Sequence, residues 1–343
     1  MEVLGLDLGC GFTKAVYGAK ADLFKSAFGP AAERAFSDDL ALITAADRHR
    51  EIALPESGQR YYLGELAERE SHAPRHTLDA SMLLDEFAPV LAPAALAWCL
   101  DRDVDELGVV VGLPMAQFAA HRERLIDTLS GQHLIEVFAR SGESHRLAIT
   151  VGDVCVLPQP LGAALHVLLD HAGQVANQEV FAQKVGVIDV GVHTTGFTVA
   201  QRGDYSERAS ATFEHGLASA YSVIAARLAE SSGVEVGPHR LSSVLEEGSI
   251  RIHGTRYDLR RIAEQAYEDL AGRIATFAEE HWREEWDLDL VLLSGGGGPL
   301  LAPWLAPAVR GEVVLVDEGA DPRVANAHGF AKYGRRLWAD ASE

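Results

Sequence analysis

Two stretches carry acidic residues where chemistry could be done. The run Leu4-Gly5-Leu6-Asp7-Leu8 leads into Gly9, Cys10, Gly11, Phe12, Thr13 and Lys14. Far downstream, Val187-Ile188-Asp189-Val190 leads into Gly191, Val192, His193, Thr194 and Thr195. Each reads as strand, tight turn, strand, with a carboxylate at the turn. Glycine lets the backbone curl until successive N–H groups point at one anion. A carboxylate repels phosphate but holds a divalent cation that binds it. Lys14, seven residues after Asp7, puts an ammonium on the same phosphates. Thr194 and Thr195 offer hydroxyls and N–H groups to a terminal phosphate. Two such turns, one in each half of the chain, predict two lobes closing on a nucleoside triphosphate. His193 reads as a surface or packed histidine.

The elements that must position these turns follow from length and pattern. At 343 residues the chain exceeds one ordinary core, so two lobes are expected. Hydrophobic residues make up 48% and charged residues 23%, a globular composition. No apolar run approaches the roughly 20 residues that span a bilayer, and no membrane association is expected. The N-terminus reads as entering a strand at once, so no signal peptide is expected. Cys10, Cys99 and Cys155 are scattered and odd in number, so a reducing cytoplasm is expected rather than a disulfide framework. A net charge of −20 argues against direct nucleic-acid binding, which needs a basic face. An adaptor protein could still link the chain to DNA.

Residues 2–8, 11–17 and 20–28 read as a strand meander, and 29–75 as an irregular small subdomain. A helix is expected over 79–101 and another over 115–130, with a buried strand ending at Gly112-Leu113-Pro114 between them. Strands follow at 134–139 and 145–151, and Val154–Leu157 reads as a further strand before a proline-framed kink. The pattern then restarts with strands at 184–189 and 193–201. Helices are expected near 214–231, 239–246 and 258–285. The strand Leu290–Leu293 ends in Ser294-Gly295-Gly296-Gly297-Gly298, with a helix starting near Pro299. A strand at 312–316 and a helix at 323–338 close a duplicated α/β architecture. Four glycines after a buried strand cost entropy without packing anything, so close approach of a flat ring or sugar is the better reading. The run lacks both GxGxxG spacing and a P-loop Lys-Ser/Thr. Trp282 and Trp286 read as packing residues on one helix face. His72 and His76 share that spacing without a third metal ligand.

Together these motifs resemble the actin-like ATPase superfamily, most closely ParM-type bacterial and archaeal actins. Asp7–Lys14 resembles its first phosphate loop, Asp189–Thr195 its second and Gly295–Gly298 its adenosine loop. Leu157-Pro158-Gln159-Pro160-Leu161-Gly162-Ala163 resembles the first interdomain connector, and Val324–Lys332 the second. The resemblance covers essentially the whole chain, in order. It departs at Cys10, where a Ser or Thr is usual, at Gly196, where an acidic residue often stands, and at Gln159, where ParM relatives often carry Glu.

The resemblance implies an α/β actin-like fold, with 1–156 and 321–343 as lobe I and 157–320 as lobe II. Lobe II would include a helical subdomain over about 206–286. It implies an ATPase in which Asp7 and Asp189 hold Mg²⁺ and backbone around Gly9–Thr13 and Gly191–Thr195 cradles the phosphates. Lys14 would lie on the β/γ side, and Gly295, Gly296 and Gly297 would face the adenosine of ATP or ADP. Gln159 would orient the attacking water, since an amide cannot act as a base. Polymerisation into nucleotide-gated cytoskeletal filaments, for plasmid segregation or cell organisation, is the function implied. A small-molecule kinase of the same superfamily and a non-polymerising ATP-dependent switch are the alternatives.

Overall fold

The structure is a computed structural model that describes residues 1–31, 49–77, 82–316 and 321–339. The chain divides into two units, Met1–Ala176 with Val324–Glu343, and Asn177–Arg323.

The first unit opens with β1 (Glu2–Leu8), β2 (Phe12–Tyr17), β3 (Lys20–Lys25) and β4 (Ala27–Pro30). There follow β5 (Glu51–Leu54), β6 (Gln59–Leu63), α1 (Gly64–Glu70) and β7 (Arg75–His76). Next come α2 (Ala88–Leu100), β8 (Val104–Leu113), α3 (Met115–Leu129), β9 (Gly131–Phe138), β10 (Ser144–Pro158) and α4 (Leu161–Leu168). The strands form one sheet of order β3-β2-β1-β8-β10-β9-β5-β6-β4-β7. The 29–75 stretch, expected to be irregular, instead adds strands to the main sheet: β5 pairs with β9 and carries β6, β4 and β7 behind it. Its short strands lack a long alternating pattern, and residues 32–48 lie outside the described residues. The two strands expected at 145–151 and 154–157 are one. β10 pairs with β9 through its first half and with β8 through its second, and register shifts at Ile149–Asp153 mark the crossover.

Helix α2 is apolar on every side and buried throughout the unit-one core, which is why it shows no amphipathic stripe. The 18 residues Leu83–Leu100 are apolar and long enough to cross a membrane by composition alone, contrary to the expectation, yet 78% of that window is buried within the unit. Its first turn, Leu83–Phe87, is π-wound just ahead of Pro89, whose missing N–H breaks the regular ladder.

The second unit runs α5 (Gln178–Ala182), β11 (Lys184–Val190), β12 (Thr195–Gln201), β13 (Asp204–Phe213), α6 (Leu217–Ser232) and α7 (Pro238–Glu247). It continues with the hairpin β14 (Ser249–Ile252) and β15 (Thr255–Asp258), then α8 (Arg260–His281), β16 (Leu290–Ser294), α9 (Gly298–Leu305) and β17 (Glu312–Leu315). Its sheet has the order β13-β12-β11-β16-β17. That order copies β3-β2-β1-β8-β10 strand for strand: an antiparallel meander, then two parallel neighbours. Residues 206–286 are not wholly helical, because they hold most of β13 and the β14–β15 hairpin. Trp282 is buried and donates its indole N–H to the carbonyl of Ala209 at 2.9 Å. Trp286, expected beside it on a helix face, is 80% exposed, because α8 ends at His281.

The last helix, α10 (Ala325–Ala339), returns to the first unit and lies on β1 and against α4. The α4 and α10 backbones touch: a Cβ on Gly329 would lie 1.8 Å from the carbonyl oxygen of Gly162. Lys332 Nζ donates to the carbonyl of His166 at 2.6 Å. This crossing holds 157–176 in the first unit, so the division falls after Ala176 rather than at 156/157.

Candidate functional site

In the first turn, Leu8 pairs with Thr13 and Asp7 lies directly across the ladder from Lys14. The N–H of Gly9 donates to the carbonyl of Phe12 at 3.1 Å and closes the turn. Ser26 Oγ donates its single proton to the carbonyl of Gly9. The buried Thr13 hydroxyl must therefore be the donor in its 2.9 Å bond to Ser26 Oγ. The carbonyl of Cys10 accepts from Thr77 Oγ1, and that of Gly11 from the Ser26 N–H. Three successive carbonyls are thus drawn to one side. Trans peptide planarity then turns the N–H groups of Cys10, Gly11 and Phe12 to the other side, the arrangement of an anion-binding nest.

Asp7 is 1% exposed, and both of its oxygens are engaged. Lys14 Nζ lies 2.9 Å from Oδ2, and Gln159 Nε2 donates to Oδ1 at 2.7 Å. Gln159 reaches this place because it follows the end of β10. Its N–H donates to the carbonyl of Leu113 at 2.8 Å, and its Cα rests over Gly112, where a Cβ would come within 3.0 Å. A carboxylate only accepts, so the Gln159 NH₂ must face Asp7 and its Oε1 must point away. Asp7 thereby fixes the amide with a lone acceptor directed outward.

The second turn repeats the backbone plan. Val190 pairs with Thr195, and the N–H of Gly191 donates to the carbonyl of Thr194 at 2.9 Å. Here the start of α6 provides the anchor. The N–H groups of Leu217 and Ala218 donate to the carbonyls of Gly191 and Val192 at 3.1 and 2.7 Å. A Cβ on Gly216 would meet both of those oxygens at 2.6 Å, so the helix start can seat there only as glycine. The same planarity argument turns the N–H groups of Val192 and His193 away from α6. Thr195 is fully buried and its hydroxyl donates to the carbonyl of His215 at 2.8 Å. That hydroxyl, expected on the phosphate, is instead part of the turn's anchor.

The glycine run lies against this turn. Gly295 has φ +79°, and a Cβ there would sit 2.5 Å from Asp189 Oδ1 and from the carbonyl of Val190. A Cβ on Gly297 would strike the Val190 side chain at 2.4 Å. Two of the four glycines are therefore required by the fold itself, which corrects the reading that they pack nothing. Gly296 carries the stem of Arg323 over it, at 3.2 Å from where its Cβ would be. The Arg323 guanidinium is in turn held by both oxygens of Asp321.

Within the first unit the structure brings together Asp7, Lys14, Gln159 and the Gly9–Thr13 turn. Within the second it brings together Asp189, the Gly191–Thr195 turn and Gly295–Gly297. Sequence reasoning missed Ser26, Thr77, His215 and Arg323. The first three act through long-range hydrogen bonds that leave no local pattern, whereas Asp321-Pro322-Arg323 shows a turn signal.

Hard oxygen donors at both turns suit Mg²⁺. No group of three metal-ligating side chains occurs among the described residues. Such an ion would therefore take most of its ligands from phosphate and water, as Mg²⁺ does.

Residues 5–162 match the family model of the actin-like proteins' N-terminal domain. Residues 187–306 match that of the archaeal actin homologue MreB-like C-terminal domain. No curated protein sequence matches the chain. Among solved structures, a 15-stranded ParM filament from Clostridium botulinum is 23% identical over 98% of this chain and 99% of its own, with TM-score 0.80. The archaeal actin homologue Ta0583 in complex with ADP is 22% identical over 98% of this chain and 100% of its own, with TM-score 0.78. A non-polymerisable quadruple mutant of the ParM pCBH is 24% identical over 98% and 99%, with TM-score 0.77. The duplicated sheets, their paired turns and these matches together make the chain a member of the actin-like protein family.

Proposed function

We propose that this protein is a cytoplasmic ATPase whose nucleotide state controls its assembly into filaments. The observation that carries the reading is the repeated turn, with amides on one side and a carboxylate at its base, once in each unit. The amides of Cys10–Phe12 and of Val192–His193 bind phosphate oxygens, and Lys14 adds a positive charge. Asp189 would hold Mg²⁺, which neutralises phosphate charge when bound, and Asp7, whose oxygens are taken by Lys14 and Gln159, would act on the ion through water. Gln159 Oε1 accepts a hydrogen bond from the attacking water and orients it. The work of the chain's own residues is positioning, as phosphoryl transfer demands. Gly295–Gly297 face the adenosine.

Filament formation is supported by the ParM filament among the structural relatives. A head-to-tail contact that does not close builds an open polymer. With a charge of −20, subunits repel, and salt screens this within about 10 Å at 0.1 M. Any link to DNA falls to an adaptor. Sedimentation tests the reading: ATP with Mg²⁺ gives pelletable filaments above a critical concentration in moderate salt, and ADP supports them less well. A protein that stays monomeric at tens of micromolar with ATP overturns the filament reading.

A further inference from the structure

A groove of about 570 Å³ lies along α8, wholly within the second unit. Its floor is aromatic. Phe213 and Phe277 are half-buried with ring centroids 4.8 Å apart, and Phe277 continues into the core at 5.0 Å from Phe197. Gly272 opens it. Glycine inside a helix costs about 1 kcal/mol relative to alanine, yet a Cβ there would meet nothing within 4 Å. Packing does not explain this glycine, and a groove wall does.

Glu268, Asp269 and Glu280 rim the groove, exposed and without an ion pair among the described residues. Nearby carboxylates are paired: Glu279 with Arg310, and Glu285 with Lys184 and Arg208. The groove's own cation, Arg273, donates inward to His215 Nε2 and lies over the Phe213 ring. An apolar floor beneath unpaired carboxylates is complementary to a basic segment that carries an apolar side chain. A second copy of this acidic chain lacks the complementary charge.

Arg273 also joins the groove to the second turn. Burial first, and then the Arg273 charge, hold His215 below its ordinary pKa. The ring is neutral, with Nε2 accepting from Arg273 and Nδ1–H donating to Ser219 Oγ at 3.2 Å. The same residue's carbonyl takes the Thr195 hydroxyl.

We propose that this groove docks a basic, apolar-tipped segment of a partner protein, and that Arg273 and His215 carry its occupancy to the Gly191–Thr195 turn. The docking half stands on the groove alone; the coupling half rests on the ATPase reading. The probe is a fluorescein-labelled peptide, Arg-Arg-Leu-Trp-Arg-Leu-Arg, followed by anisotropy on the full chain at 0.15 M salt. Neutralising the rim with Glu268→Gln, Asp269→Asn and Glu280→Gln weakens binding at least about tenfold. Gly272→Trp, at a position with open space around it, does the same by filling the groove. Neutralising three exposed carboxylates of the first unit (Asp105→Asn, Glu106→Gln and Glu143→Gln) changes it less than about twofold. Equal losses in the two triple variants, or no binding by the wild type up to about 1 mM, overturn the docking site. For the coupling, Arg273→Gln, assayed at saturating peptide, removes the peptide's effect on ATP turnover. A peptide effect that survives in Arg273→Gln overturns the relay. A wild type that binds the peptide but never turns over ATP overturns the preceding reading and leaves the docking site standing.

Discussion

In the first turn, Asp7 faces Lys14 across the ladder; in the second, Asp189 faces Gly196. The backbone plan of the two hairpins otherwise agrees, though Ser26 and Thr77 hold the first and the start of α6 holds the second. Each sits on the central strand of its meander, each closes with a glycine N–H on a carbonyl three residues on, and each buries a threonine hydroxyl to anchor the returning strand. The backbone plan thus depends on glycine and threonine, and the charge at the turn is set separately by one cross-strand position. The first turn is neutralised internally by Lys14 and steadied by Gln159. The second has glycine across the ladder, so its returning strand brings no charge to the carboxylate.

Removing the two carboxylates separates these roles. Asp7→Ala strands the Lys14 ammonium, whose side chain is only 11% exposed, and frees the Gln159 amide. It lowers stability by about 3–5 kcal/mol, the cost of breaking a buried pair, read as the shift of the urea midpoint. Asp189→Ala leaves no cross-strand cation unpaired and unfolds at a urea concentration closer to the wild type. Its defect is catalytic: steady-state phosphate release with ATP and Mg²⁺ falls about 10²–10³-fold. Equal destabilisation by the two substitutions breaks the comparison, and wild-type turnover in Asp189→Ala removes that residue from the site.

The sequence made the turns legible because they are local. Asp, Gly and a returning apolar strand lie within a dozen residues, and period-two patterning marks the strands that flank them. The Asp7–Gln159 bond joins residues 152 positions apart, so its geometry depends on how β10 lies beside β8. No local pattern encodes that. The strands of 49–76 were missed because they are two to five residues long and take their stability from the edge of a larger sheet. β13 was missed because its polar run Asp204–Arg208 hides the alternation. Gly295 and Gly297 read as packing nothing because the neighbours they meet, Asp189 and Val190, lie on another strand.

Substitutions at Gln159 sharpen the contrast further. Gln159→Ala slows single-turnover cleavage about tenfold, roughly 1.4 kcal/mol of barrier, with ATP affinity little changed. Collapse of ATP binding with cleavage intact would make Gln159 purely structural. Gln159→Glu places a second carboxylate against Asp7 where an amide proton had been. The folded pair then retains a proton that the unfolded chain loses, so stability falls as pH rises from about 5 to 8. The wild type lacks that slope. Identical urea midpoints for Gln159→Glu and wild type at both pH values would mean that the amide does not face Asp7.

The smallest effect expected is at the two threonines, and it tests whether the turns are anchored alike. Thr13→Val removes the donor to Ser26 Oγ, but Ser26 keeps its own bond to the Gly9 carbonyl, so the turn stays held. Thr195→Val removes the hydroxyl that ties the returning strand to the His215 carbonyl, and this part-buried acceptor is then left without it. An unsatisfied buried group costs more than a lost bond between groups that keep other partners. Thr195→Val should therefore cost about 1–3 kcal/mol and Thr13→Val about 1 kcal/mol or less. Hydrogen exchange at the Thr195 and Leu217 amides should quicken in Thr195→Val alone, since the start of α6 and the turn hold each other. If Thr13→Val proves the costlier, the first turn depends on its threonine rather than on Ser26, and the two anchors are not equivalent.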